Sequence, residues 1–128
     1  MSELRDDVKY AKSHEWVKVE GDIAVIGLTD YAQDQMGDLV FAEVVPAGTT
    51  VAVEDSIGSV ESVKMASDVY APVAGEVVEA NDTLEDAPEQ INETPYDTWL
   101  VKIRLSDPAE LDQLLDKEGY AALIAEES

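Results

Sequence analysis

Across 128 residues the chain carries 29 acids against 8 bases, for a formal net charge of −21, with a single histidine and no cysteine. The missing cysteines exclude structural disulfides, thiolate metal sites and a cysteine nucleophile, and one histidine excludes a multi-histidine zinc site. So acidic a chain repels nucleic-acid phosphates and anionic membrane, while its 45% hydrophobic content provides the core of one domain rather than a disordered polymer.

Met1 to Asp7 has neither the apolar stretch of a signal peptide nor the basic, acid-poor character of a transit peptide, and no window reaches the roughly 18 apolar residues of a membrane span. A soluble cytoplasmic protein is the expectation, a matured organellar chain having the same signature. Ile23 to Leu28 is a β-branched run entered from Gly21-Asp22 and predicts a strand. Thr29 to Met36 predicts a short helix, capped by Thr29 or Asp30 and stopped at Gly37. Leu39 to Val45 resumes a strand that ends at Pro46, and Thr49 to Val53 continues extended. Ile57 to Val63 alternates, with Ile57, Ser59, Glu61 and Val63 on one face against Gly58, Val60 and Ser62. Val69 to Ala71 is a strand ended by Pro72, and Gly75 to Glu79 begins another. Asn81 to Pro95, rich in Asn, Asp, Pro and Thr, predicts a long loop. Trp99 to Leu105 alternates again, with Trp99, Val101, Ile103 and Leu105 on a common face.

The C-terminal part changes character. Residues 106–110 offer an N-cap, a proline at the first helical position and an acid at the third. Leu111, Leu114 and Leu115 repeat at helical spacing, Gly119 breaks that helix, and Tyr120 to Ala125 predicts a further turn or two. Many short strands followed by helices predict a β-sandwich or barrel capped at its C-terminus.

The bases are unevenly placed. Between Glu20 and Val101 the only one is Lys64, amid 18 acids. It lies between two similar β-rich arms, Val51–Val60 and Ala71–Val78, at the bend of a hairpin-like unit. A lone lysine there serves either as a local counter-charge or as an amine with a particular task, such as accepting a covalent group, and charge pattern does not choose. The turn Val63-Lys64-Met65-Ala66 lacks the usual Gly, Asn or Pro signals. No enzyme motif is present: His14 has no nucleophile supplied nearby in sequence, no glycine-rich phosphate loop occurs, and Asn81 to Glu93 lacks the central glycine of a calcium loop. Trp16, Tyr31, Phe41, Tyr70 and Trp99 are assigned to core or semi-buried packing rather than to a ligand box.

The segment Val60-Glu-Ser-Val-Lys-Met-Ala-Ser-Asp-Val-Tyr-Ala-Pro-Val-Ala-Gly75 closely resembles the lipoyl-attachment region of the glycine cleavage H-protein family. The likeness continues, in order, through His14-Glu-Trp16, Gly27 to Gln33, Gly37 to Phe41, Asn92 to Tyr96 and Leu111 to Tyr120, covering roughly residues 8 to 124. Three positions depart from the family pattern: Met65, where a small residue is usual, the short Tyr96-Asp-Thr-Trp99 stretch, and a Pro46 displaced by one place.

The resemblance implies a mainly β fold, a flattened β-barrel or hybrid β-sandwich of the biotinyl/lipoyl-carrier type with short C-terminal helices. It implies one domain over 1–128, with a β body at about 8–105 and a helical segment at about 106–125. Lys64 would carry lipoic acid in amide linkage, and Glu61 and Gly75 would be recognised by the lipoylating enzyme. The protein would be a non-catalytic, monomeric carrier with transient docking. It would take an aminomethyl group from a pyridoxal-phosphate glycine decarboxylase to a tetrahydrofolate-dependent aminomethyltransferase, then electrons to dihydrolipoyl dehydrogenase. Rival readings are an H-like lipoyl carrier in lipoate relay or sulfur metabolism, a biotin carrier (prompted by Lys64-Met65), and an unmodified acidic interaction module. The net charge further predicts docking onto basic patches of partner enzymes.

Overall fold

A computed structural model describes residues 4–127; residues 1–3 and 128, at the ends of the expected domain, lie outside the described residues. Among the described residues nine strands form two sheets. The larger contains β1 (Lys9–Tyr10), β2 (Glu15–Glu20), β3 (Ile23–Leu28), β9 (Trp99–Leu105), β8 (Gly75–Ala80) and β5 (Thr50–Val51), in that spatial order. The smaller contains β4 (Leu39–Val44), β6 (Ser56–Ser62) and β7 (Ala66–Tyr70), with β6 central. Every pairing between these strands is antiparallel. The sheets do not close into a barrel, so of the two expected architectures the sandwich is the one formed.

The core follows from strand alternation. Val17, Ala24, Ile26, Val77, Val101 and Ile103 turn inward from the large sheet to meet Ala42, Ile57, Val60 and Val69 from the small one. The opposite face of the large sheet carries a second cluster, Tyr10, Trp16, Val25 and Tyr120, closed by α3 (Lys117–Glu127). Alternation thus gives β3 and the first half of β2 two covered faces, an apolar sheet interior and an aromatic exterior under a helix.

Helix α1 (Asp30–Met36) behaves as expected: the Thr29 hydroxyl accepts the Ala32 N–H at 3.1 Å, and Gly37 ends it at φ +82°, a left-handed value that favours glycine. The β3 and β9 bounds match their predicted runs, whereas β4 stops at Val44 and β5 is shorter than Thr49–Val53.

Three expectations are corrected. In β6, Ser56 opposes Tyr70 and Gly58 opposes Val69, so Ile57 is a bulged extra residue. The bulge shifts the alternation: Ile57, Val60 and Ser62 are buried, while Glu61 and the following Val63 are exposed. Asn81–Pro95 is not a structureless loop. It contains a 3₁₀ turn (Asp82–Leu84) and α2 (Gln90–Glu93), anchored by Leu84 and Ile91, both fully buried. Gly119 does not break a helix but lies in the first turn of α3, where the Asp116 carboxylate accepts its N–H at 2.7 Å. The preceding segment, with Asp107 as cap and Pro108 at its first position, is a 3₁₀ helix over Pro108–Gln113. Among the aromatics, Phe41 and Tyr70 are semi-buried, at 38% and 39% exposure. A bulge between Leu39 and Phe41 turns Val40 and Phe41 outward together.

Candidate functional site

Strands β6 and β7 form a hairpin whose last paired residues are Glu61 and Ala66, which leaves Ser62 to Met65 as the turn. One side chain shapes it. The Ser62 Oγ accepts the N–H of Lys64 at 3.3 Å and of Met65 at 3.2 Å, while the Ser62 N–H donates to the Met65 carbonyl at 2.8 Å. A serine hydroxyl thereby does the work expected of Gly or Asn, which is why the turn carries no familiar signal. The signal is nonetheless local: a serine two residues before the lysine.

Lys64 sits at the exposed tip, next to Val63, which is 83% exposed. Its stem lies alongside Gly37, with Cε 3.5 Å from where a Cβ at 37 would stand. That neighbouring segment is braced from afar by Asn92 of α2. Its Oδ1 accepts the Leu39 N–H at 2.9 Å, and its Nδ2 donates to the Gly37 carbonyl at 2.8 Å and to Gln33 Oε1 at 2.9 Å. Nothing local in sequence marks Asn92 for this; the bonds span more than fifty residues.

Beside the hairpin opens a cleft of about 350 Å³. Met65, Ser67, Asp68 and Val69 line one side, Leu28, Tyr31, Ala32, Gln35 and Met36 another, and Ser13, His14 and Glu15 contribute polar groups. Glu15 is almost fully buried, accepting from the Ser13 hydroxyl and from the Tyr70 N–H at 3.3 Å. Burial pushes its carboxyl up to about 7, outweighing the hydrogen bonds that favour the charged form. Nothing in the sequence singles out Glu15, because its burial is produced by distant strands. The adjacent His14 has φ +74°, donates its N–H to the Ala11 carbonyl at 3.0 Å and accepts the Thr29 N–H at 3.2 Å on its carbonyl. It belongs to the cleft wall.

The predicted site residues are therefore partly assembled. Glu61 is exposed on β6, three residues from Lys64 and opposite the exposed Phe41. Gly75 lies in the other sheet, buried on β8, where a Cβ would run into the Arg104 backbone carbonyl and the Ile103 side chain. Its glycine identity thus has a packing cause.

Charge is segregated in the same way. Lys102 and Arg104 on β9 pair with Glu79 and Glu76 on β8 at 3.6 and 3.4 Å, all within the large sheet. The small sheet carries Glu43, Glu61 and Asp68, and no base along its strands, with Lys64 at its tip.

These features define a presenting scaffold: a β-sandwich that holds one lysine out on a fixed hairpin beside a partly apolar cleft. Comparison with known proteins gives the family. Residues 8–127 match the model of the glycine cleavage H-protein family. The chain is 52% identical to a glycine cleavage system H protein of Alcanivorax borkumensis, over 99% of this chain and all of that one. It is 54% identical to one of a Marinomonas species, over 98% of this chain and all of that one. It also superposes on the crystal structure of a glycine cleavage system H protein from Mycobacterium marinum with a TM-score of 0.87 and 33% identity, covering 95% of this chain and 99% of that one. The chain belongs to the glycine cleavage H-protein family.

Proposed function

We propose that this chain is the lipoyl-bearing carrier of the glycine cleavage system, with lipoic acid in amide linkage on Lys64. The observation that carries the proposal is the exposed Lys64 at a turn that the Ser62 hydroxyl fixes on a two-stranded stem. When bound, the lipoyl group would supply a disulfide able to accept the aminomethyl group of glycine; the tetrahydrofolate-dependent aminomethyltransferase would remove the one-carbon unit with release of ammonia, and dihydrolipoyl dehydrogenase would reoxidise the dithiol.

The residues present fit that group. The open tip lets an attaching enzyme reach the amine. Leu28, Met36, Val60, Met65 and Val69 offer apolar walls to an aliphatic chain, and Glu15, Ser13 and Asp68 offer oxygens to an ammonium. The polypeptide contributes presentation, docking and shelter, and leaves bond chemistry to the group and the partner enzymes. Glu61 is assigned to direct contact with the lipoylating enzyme, from its exposed place beside the tip. Gly75 is assigned to the same recognition through the close strand approach it permits behind the hairpin. We read residues 1–128 as one carrier domain, a cytoplasmic monomer that docks transiently; among the described residues no helix is long and apolar enough to cross a membrane.

Intact mass of the natively expressed protein, with the adduct mapped to its residue, tests the assignment. A lipoyl adduct on Lys64, lost in Lys64→Arg, supports it, and a bare lysine from cells competent for lipoylation overturns it. A biotinyl mass selects a biotin carrier instead. Reconstitution with the three partner enzymes then tests the pathway: a lipoylated chain that takes no aminomethyl group from glycine belongs to another lipoyl-dependent route.

A further inference from the structure

We propose that Tyr120, in the C-terminal helix, is a positioning residue that fixes two walls of the cleft through its single hydroxyl. Tyr120 is fully buried and is not itself one of the residues lining the cleft. Its Oη stands 2.8 Å from His14 Nδ1 and 2.7 Å from Thr29 Oγ1. His14 lies between Ser13 and Glu15, the polar part of the cleft. Thr29 caps α1, which supplies Tyr31, Gln35 and Met36 to another wall. One oxygen from a distant helix therefore ties together the segment that carries Glu15 and the start of α1.

The hydrogen count makes the tie specific. The phenol has one proton to give. Either it donates to His14 Nδ1 and receives the Thr29 hydroxyl, or it donates to Thr29 and receives the Nδ1–H of His14. Both arrangements use both partners. Phenylalanine at 120 would keep the ring but strip the fully buried Thr29 hydroxyl of its partner on that side. The ring is itself located with precision: it stacks on Tyr10 at 4.4 Å and 4°. The Tyr10 backbone exchanges two hydrogen bonds with Leu115, of 2.8 and 2.7 Å, just ahead of the helix. His14 is held at a positive φ that a non-glycine residue seldom adopts, so an external tie there has a conformation to maintain. The functional consequence, a cleft kept in register for the arm on Lys64, rests on the carrier reading; the tie itself does not.

The test compares full-length wild type with Tyr120→Phe, Tyr10→Phe, Thr29→Val and Thr29→Ser, each with and without the adduct on Lys64. The readout is the titration of the Glu15 side-chain carboxyl by ¹³C NMR, with the amide signals of residues 13–15 and 31–36. Wild type should titrate at about 7. Tyr120→Phe and Thr29→Val should lower that midpoint by about one pH unit as water reaches the loosened wall, and should shift both groups of amides. Thr29→Ser, which keeps a hydroxyl, should restore the wild-type midpoint. Tyr10→Phe removes the hydroxyl that bonds the Arg5 backbone from the stacked ring, and should leave Glu15 unmoved. A Tyr120→Phe protein with wild-type Glu15 titration, or a Tyr10→Phe protein displaced equally, overturns the proposal. If Tyr120→Phe does not fold, a wild-type Glu15 midpoint in Thr29→Val, which loses the hydroxyl that bonds Tyr120, overturns the proposal. Failure of the carrier reading shows separately, as a bare Lys64 in wild type, and leaves the Glu15 measurement intact.

Discussion

Ser62 illustrates how much one hydroxyl can specify. It receives two turn N–H groups, and those bonds hold Lys64 at the end of the stem. Ser62→Ala should cost about 1 kcal/mol of stability in urea unfolding and lower the rate of lipoylation more than that loss explains, while Ser62→Thr should retain both. An unchanged lipoylation rate in Ser62→Ala would show that the turn is set by other contacts. Glu15 gives a second residue-level prediction, with a definite sign. The folded protein keeps its proton up to a pH of about 7, whereas the ordinary value is 4.5. Stability from this group is therefore complete below about 4.5, falls as pH rises through the interval, and is fully lost above about 7. The loss amounts to about 3 kcal/mol as an upper figure. Glu15→Gln, which cannot ionise, should exceed wild type in stability at about pH 8 by up to that amount and lose the advantage near pH 4.5. Parallel stability profiles for the two proteins would contradict it.

Elements differ in how openly the sequence states them. β3 is a short apolar run rich in β-branched residues, β9 alternates regularly, and α1 has its cap and its terminal glycine, so local chemistry alone marks their positions. β6 is different. Its alternation looks regular, but the bulge at Ile57 is fixed by pairing with β7, and that pairing decides which face each side chain takes. The Asn81–Pro95 stretch is the clearest case of tertiary override. Its composition is polar, yet Leu84 and Ile91 reach the main core and pin two helical turns. Leu84→Ala should therefore destabilise the protein by about 2–5 kcal/mol in urea unfolding, as for a core leucine; a cost near zero would mean that the segment is not anchored there. Gly119 teaches the same lesson about helices. Asp116 starts α3, and a glycine in the first turn is tolerated once the cap is made.

At the scale of the whole molecule, the net charge of −21 becomes a pattern. The large sheet pairs acids with Lys102 and Arg104, whereas the small sheet shows its acids without local bases and bears Lys64 at its tip. Docking to the partner enzymes should consequently be steered by this field. Association rates should fall by about tenfold or more between low and high salt, measured by stopped flow with dihydrolipoyl dehydrogenase, which the loaded arm reduces; salt-independent rates would exclude such steering. The sequence by itself determined the acidic surface, the absence of thiols, most strands, the capped helix α1 and the lysine that stands alone among acids. It did so because composition, periodicity and capping are local properties. Only the tertiary structure decided which faces of β4 and β6 look outward, that Glu15 loses its water, that Asn92 and Tyr120 hold segments far from them in sequence, and that Gly75 must be glycine to pass the Arg104 backbone. Each of these depends on contacts between distant segments, and no local stretch of sequence contains its own neighbours.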